Sequence, residues 1–245
     1  MVDIILGMGE VGETMFELLA GRGFDCAGID SDASRCRNYS EGTIIKNPEY
    51  LHVCIPGELE GFAGVVSGWI GKFGGLKAVM VHSTVRPGTT ETIQKKTRVP
   101  VLFSPVRGVH KRFLEDMKRY TKLMASDGEV DPGTRADLES RFQKTGWMST
   151  SKTVELAKIL VDTSYYGWLI NYAQVTKMIC EKEGVDFDEM WGFADEIHEN
   201  LGNRPKMYPG VIGGHCVIPN LGLIEYKDLD MIKKINEMYE KFSSQ

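Results

Sequence analysis

The sequence predicts an α/β chain: a mostly parallel sheet covered by helices, followed by an all-helical segment built around one long helix. Three observations carry this. The first half alternates short apolar runs with helix-like stretches, the pattern of a parallel sheet with helices on both faces. Near residue 150 the texture changes, and Thr153 to Glu183 reads as one long helix, with no proline and a single internal glycine, Gly167. The 245 residues, 42% hydrophobic and 26% charged, hold enough apolar material for a sizeable core, which excludes a disordered scaffold. The expected domains are residues 1–150 and 151–245.

In chain order, strands are expected at Val2–Leu6, Cys26–Ile29, Leu51–Ile55, Ala78–His82, Val101–Ser104 and Thr121–Ala125, with a last one at Gly146–Ser149. Most are continuous apolar runs, as both-face burial requires. Helices are expected between them at Glu10–Arg22, Leu59–Phe73, Thr89–Lys96 and Asp131–Lys144. Thr153 is the expected cap of the long helix and Gly184 its end. Tyr165, Tyr166, Trp168, Leu169 and Ile170 are too many for one stripe, so this helix is expected to be buried between helices or subunits. Asp186–Asn200 reads as helical, 202–222 as a Gly/Pro-rich loop, and Glu225–Phe242 as an amphipathic helix with Leu229, Ile232, Ile235 and Met238 on its apolar face.

Net charge is −5, so no basic footprint points to a nucleic acid. No apolar stretch approaches the roughly 18 residues of a membrane span. The N-terminus shows no basic region and no cleavage site. The cysteines, Cys26, Cys36, Cys54, Cys180 and Cys216, are odd in number and form no CxxC pair. Free thiols and a cytoplasmic location are therefore expected.

Gly7-Met8-Gly9-Glu10-Val11-Gly12 is a GxGxxG between a strand and a helix. Gly7 allows the tight turn, Gly9 lets a pyrophosphate approach the backbone, and Gly12 allows close helix–strand packing. The helix N-terminus then faces the phosphates. Asp30 ends the second strand at the offset of an acid that binds ribose hydroxyls; it would repel a 2′-phosphate, which favours NAD over NADP. A Rossmann-like dinucleotide domain follows, with a glycine turn and a solvated aspartate as the bland alternative. Arg35 is a candidate for the adenine face or an ordinary surface arginine. Ile55-Pro56 and His82-Ser83-Thr84 lie at the carboxyl edge, where open parallel sheets bind ligands.

The second cluster is Gly213-Gly214-His215-Cys216. Glycines leave the thiol accessible, and a neighbouring cation can raise its thiolate fraction; a lone cysteine is otherwise a small buried hydrophobe. Lys158 and Asp162 stand at i and i+4 on one helix face, which by spacing alone reads as a surface ion pair.

Taken in order, GMGEVG, Asp30-x-x-x-x-Arg35, the strand end at Thr84, Ser104-Pro105, Glu155-Leu156-Ala157-Lys158 and the Gly-Gly-His-Cys loop resemble the nucleotide-sugar 6-dehydrogenases. These are the UDP-glucose and GDP-mannose dehydrogenases and their acetamido-sugar branch. The resemblance implies two hydride transfers from a primary alcohol to NAD. Cys216 would be the nucleophile that traps the aldehyde as a thiohemiacetal and then holds a thioester for water to cleave. Lys158 would stabilise the oxyanion, worth roughly 3 kcal/mol. Thr84 would place the nicotinamide and the water. The long helix implies a homodimer, and the substrate class is a small molecule of the nucleotide-sugar type.

The departures are specific. Val106 stands where the family has a carboxylate, and His110 is either the replacement base or a loop histidine with no catalytic role. Asp162 and Asn220 stand where the family has asparagine and aspartate, an exchange that keeps one of each. Relatives continue into a second nucleotide-binding domain, so a truncated form is expected. Two other readings remain open: a non-catalytic NAD-binding module, and a β-hydroxyacid-type dehydrogenase, which would use the helix lysine without a loop cysteine.

Overall fold

The structure, a computed structural model, describes residues 2–108, 112–201, 207–214, 216–224 and 227–244. It divides into two compact units, Met1–Lys158 and Ile159–Gln245. The first holds strands β1 (Val2–Leu6), β2 (Cys26–Ile29), β3 (Pro48–Val53), β4 (Ala78–Val81), β5 (Val101–Phe103), β6 (Lys122–Ser126) and β7 (Thr145–Trp147). They form one sheet in the order β2-β1-β3-β4-β5-β6-β7. Neighbours are parallel except β5 and β6.

Alternate residues of each apolar run serve opposite faces. Leu51 and Val53 of β3 join Val79 and Val81 of β4 under Phe62, Val66 and Ile70 of α2 (Phe62–Lys72) and Ile93 of α3 (Thr89–Gln94). Tyr50 and Met80 turn the other way, toward Met15, Leu18 and Leu19 of α1 (Glu10–Ala20). The helix α4 (Phe113–Arg119) was not expected, because its apolar residues are diluted by charge; α5 (Pro132–Ser140) was, and Asp131 caps it by accepting from the Thr134 N–H. α2 starts at Phe62 rather than Leu59 because Gly61 enters in the left-handed region at φ +70°. The first unit runs past residue 150 through α6 (Ser151–Ala157), whose Val154 belongs to the sheet's core.

The expected single helix from Thr153 is three pieces: α6, a π-helical segment Lys158–Ser164, and α7 (Tyr165–Glu183). The cap is Thr150, whose side chain accepts from the Thr153 N–H, not Thr153 itself. Within the π segment the Thr163 and Ser164 hydroxyls both donate to the Ile159 carbonyl, at 2.8 and 2.7 Å. Side-chain hydroxyl bonds of this kind to a carbonyl one turn back accompany local departures from the regular helix.

The second unit continues with α8 (Phe187–Leu201), α9 (Val217–Leu221) and α10 (Asp230–Ser243). α9 occupies part of the expected loop. A Cβ on Gly167 would lie 2.9 Å from Val217 Cγ1 and 3.0 Å from Ile232 Cγ2, so the one glycine inside α7 is where α9 and α10 close on it. α10 buries Ile232, Asn236 and Tyr239 and leaves Met238 59% exposed. Its buried face is thus rotated from the expected one to admit an asparagine. Among the described residues, no helix is long and apolar enough to cross a membrane.

Candidate active site

The glycine turn is dictated by close approach. Gly7, at φ +91°, would carry a Cβ 2.8 Å from the Ile55 N and 2.9 Å from the Cys54 carbonyl carbon. A Cβ on Gly12 would stand 1.8 Å from the Gly7 oxygen. Gly9 differs: it is the N-cap of α1, no side chain caps the helix there, and nothing lies within 4 Å of its Cβ position. Two glycines therefore close the turn, and the third leaves open space at a helix N-terminus, the shape and polarity a pyrophosphate requires.

Asp30 fastens this loop from the next strand. Its Oδ2 accepts from the Met8 N–H at 2.6 Å and its Oδ1 from the Asp32 N–H at 2.9 Å, and carboxylate oxygens retain further acceptor sites for hydroxyls. Met8 itself is buried and covers Gly28, where a Cβ would come within 2.5 Å of its sulfur. Glu10 and Val11 open α1. Arg35 ends a short 3-10 turn on the surface, its Nε 3.6 Å from the Asp32 carboxylate.

At the carboxyl edge the segments after β3 and β4 are clamped together. Ser83 Oγ donates to the Ile55 carbonyl at 2.5 Å. A Cβ on Gly57 would stand 1.8 Å from the Thr84 carbonyl oxygen. Ile55, Pro56 and Thr84 thus share one edge of the sheet. Glu155 of α6 secures the far end of the Thr84 segment: it accepts from the Gly88 N–H at 2.5 Å, the Thr90 N–H at 2.9 Å and the Thr90 hydroxyl at 2.7 Å. Burial lifts its carboxyl above the ordinary value, against the opposing pull of those bonds.

After β5, Val106 is a buried core residue, and Arg107 is turned to the Thr121 carbonyl, 2.5 Å away. Beneath them Lys122 Nζ donates to the Ser104 and Pro105 carbonyls at 2.6 and 3.0 Å. Burial lowers this ammonium to about 7. Composition gave no hint of Lys122, because an interior lysine has no sequence signature. His110 and His215 lie outside the described residues.

In the second unit Cys216 is the exposed cysteine; burial pushes the thiols of Cys26 and Cys54 up to about 12. The loop before Cys216 is held from inside by three amides that sequence reasoning missed. Asn171 donates to Gln174 at 2.7 Å, and Gln174 donates to the Gly210 carbonyl at 2.7 Å and to Asn236 Oδ1 at 3.1 Å. The same Asn236 oxygen accepts the Ile212 N–H at 2.7 Å. Gly214, at φ +76°, makes the last turn. Asn220 is buried on α9, while Lys158 and Asp162 both belong to the π-helical segment. Departures of this kind from the regular helix recur at functional sites.

No protein-family model matches the chain. It is 25% identical over 257 aligned positions to the UDP-N-acetyl-D-mannosamine dehydrogenase of Methanocaldococcus jannaschii, covering 87% of this chain and 58% of the relative. The chain is similar to nucleotide-sugar dehydrogenases. Among solved structures, a UDP-D-ManNAc dehydrogenase from Pyrococcus horikoshii superposes with a TM-score of 0.78 at 18% identity, over 100% of this chain and 70% of that one. The Mycobacterium tuberculosis 3-hydroxyisobutyrate dehydrogenase gives 0.65 at 15% identity, over 100% and 94%. Identities this low carry the fold, which is Rossmann-like with a helical second part. The chain spans 58% of the length of its curated relative.

Proposed function

We propose that this chain is an NAD-dependent oxidoreductase of the nucleotide-sugar dehydrogenase type, acting on a primary alcohol through Cys216. The observation that carries the reading is the open helix N-terminus at Gly9 beside Asp30, joined in one chain to an exposed cysteine on a loop tied down by Gln174 and Asn236. The similarity to the M. jannaschii enzyme over 87% of the chain supports the same reaction class.

NAD supplies the hydride acceptor when bound. Gly7, Met8, Gly9, Glu10, Val11 and Gly12 hold its phosphates, Asp30 and Arg35 its adenosine half, and Ile55, Pro56 and Thr84 the opposite half. The Cys216 sulfur adds to the aldehyde carbon, which makes the thiohemiacetal and later the thioester. Lys158 stabilises the oxyanion. Thr84 orients the water that releases the acid, and His110 takes its proton in place of the family carboxylate lost at Val106. Asp162 and Asn220 supply the carboxylate and amide of the same polar cluster. The chain pairs as a homodimer through the exposed aromatic residues of α7.

The test is NADH formation by the purified chain with UDP-sugars, GDP-sugars and simple hydroxyacids. Acid production from a nucleotide sugar, abolished in Cys216→Ser, is the expected result. Full activity of Cys216→Ser on a hydroxyacid would replace this reading with the β-hydroxyacid one, whose fold the 3-hydroxyisobutyrate dehydrogenase shares. NAD binding without turnover of any compound would leave the binding-module reading.

A further inference from the structure

A row of ionisable side chains crosses the interior of the first unit, where an α/β core is ordinarily apolar. Lys122, His82, His52 and Asp3 are each less than 10% exposed and come from β6, the end of β4, β3 and β1. Lys122 Nζ lies 3.1 Å from His82 Nδ1, His82 Nε2 lies 2.9 Å from His52 Nδ1, and His52 Nε2 lies 3.6 Å from Asp3 Oδ2. Asp3 is itself fixed by Arg141, at 2.7 and 3.0 Å.

We propose that these residues form a buried proton relay, in which one proton is shared between Lys122 and His52 by way of His82. Two arrangements fit the same atoms. In the first, the Lys122 ammonium donates to Ser104 O, Pro105 O and His82 Nδ1; His82 Nε2–H donates to His52 Nδ1, and His52 is neutral. In the second, a Lys122 N–H bond breaks as Nδ1–H forms on His82, and the His82 Nε2–H bond breaks as Nδ1–H forms on His52. The charge then rests on the His52 imidazolium, facing Asp3. Two protons each cross one hydrogen bond, one net positive charge is carried, no electrons move, and no co-reactant is needed.

Partners for both arrangements are already in place. The Ser104 carbonyl lies 2.7 Å from His82 Nδ1, ready to accept from it once that nitrogen is protonated. Among the described residues His52 Nε2 meets no hydrogen-bond partner, yet it lies within ion-pair range of the Asp3 carboxylate. Burial lowers the Lys122 ammonium to about 7, helped by Lys158 and Arg107 and opposed by Cys54, which eases loss of a proton at that end. Burial, Lys122 and His52 hold the intermediate His82 well below its ordinary value. Burial opposes ionisation of Asp3, but His52 and Arg141 keep it ionised; beyond Arg141 stand Glu49 and Asp137. The shift withdraws a positive charge from the carboxyl edge of the sheet into its interior.

The test is long-range proton–nitrogen NMR on the full chain labelled with 15N-histidine, the resonances assigned with His52→Gln and His82→Gln. Lys122→Met should place the His82 proton on Nδ1 and leave His52 an imidazolium at pH 6. Asp3→Asn should place it on Nε2 with His52 neutral. The same protonated nitrogen in both variants and the unmodified chain overturns the relay. Should either variant fail to fold, the unmodified chain decides. On changing temperature, its His52 imidazolium and His82 Nδ1–H fractions must rise or fall together, and independent drift refutes the proposal.

Discussion

Replacing Gly57 by alanine tests whether the clamp between the β3 and β4 segments is as tight as its geometry says. The added Cβ would begin 1.8 Å from the Thr84 carbonyl oxygen and must retreat to at least 3.0 Å. The obstacle is backbone, so no rotamer relieves it, and the cost falls at the upper end of overpacking penalties, about 3 kcal/mol. Gly68, in the middle of α2, is exposed and has nothing within 4 Å of its Cβ position. There the same change removes only glycine's helix penalty and should gain about 1 kcal/mol. At roughly 2–4 °C per kcal/mol for a chain of this size, thermal melts followed by circular dichroism should fall about 6–12 °C for Gly57→Ala and rise about 2–4 °C for Gly68→Ala. Two shifts of the same sign, or an unchanged melt for Gly57→Ala, would refute the steric argument.

Glu155→Ala should cost about 3 kcal/mol in a denaturant titration, because it strands the Gly88 and Thr90 donors inside the fold. Asn236→Leu should accelerate amide hydrogen exchange at Gly210–Gly214 while α1 and β1 keep their protection; equal exchange across both units would remove the amide's role in holding the cysteine loop. Asp3, held below its ordinary carboxylate value, contributes stability that is present above about pH 4 and lost as pH falls through the lower folded value. Stability measured between pH 5 and 2 should therefore fall more steeply for the unmodified chain than for Asp3→Asn. Tyr172 and Phe193 are 62% and 79% exposed on α7 and α8 and flank a cavity of about 770 Å³. If this face pairs with a second copy, Tyr172→Glu with Phe193→Glu should convert a dimer to a monomer by analytical ultracentrifugation.

Most strands were legible because they are compact apolar runs, the pattern favoured by burial on both sheet faces; β3 begins at Pro48 rather than Leu51, because Pro48 and Glu49 carry no apolar signal. The Gly7–Gly12 turn was legible for a related reason: its glycines answer to backbone contacts a few residues away. α4 was missed because a half-exposed seven-residue helix such as Phe113–Arg119 has too little apolar periodicity to stand out. The π-helical segment was missed because its residues, Thr163 and Ser164 among them, are neutral in a helical pattern, and periodicity does not separate a π from an α register over seven residues. Gly57 directly follows the Ile55-Pro56 pair, but its necessity depends on the Thr84 carbonyl, brought to it from the segment after β4.

By itself, the sequence determined the alternation of strands and helices, the glycine cradle with Asp30, and the cysteine loop, since each rests on local spacing or chain order. Only tertiary structure decided that Lys122, His82, His52 and Asp3 form one row, that Val106 is core, and that Asn171, Gln174 and Asn236 hold the loop ahead of Cys216. Those relations join residues distant in the chain. Their energies come from burial and from partners supplied by other strands and helices, which no local pattern of residue types records.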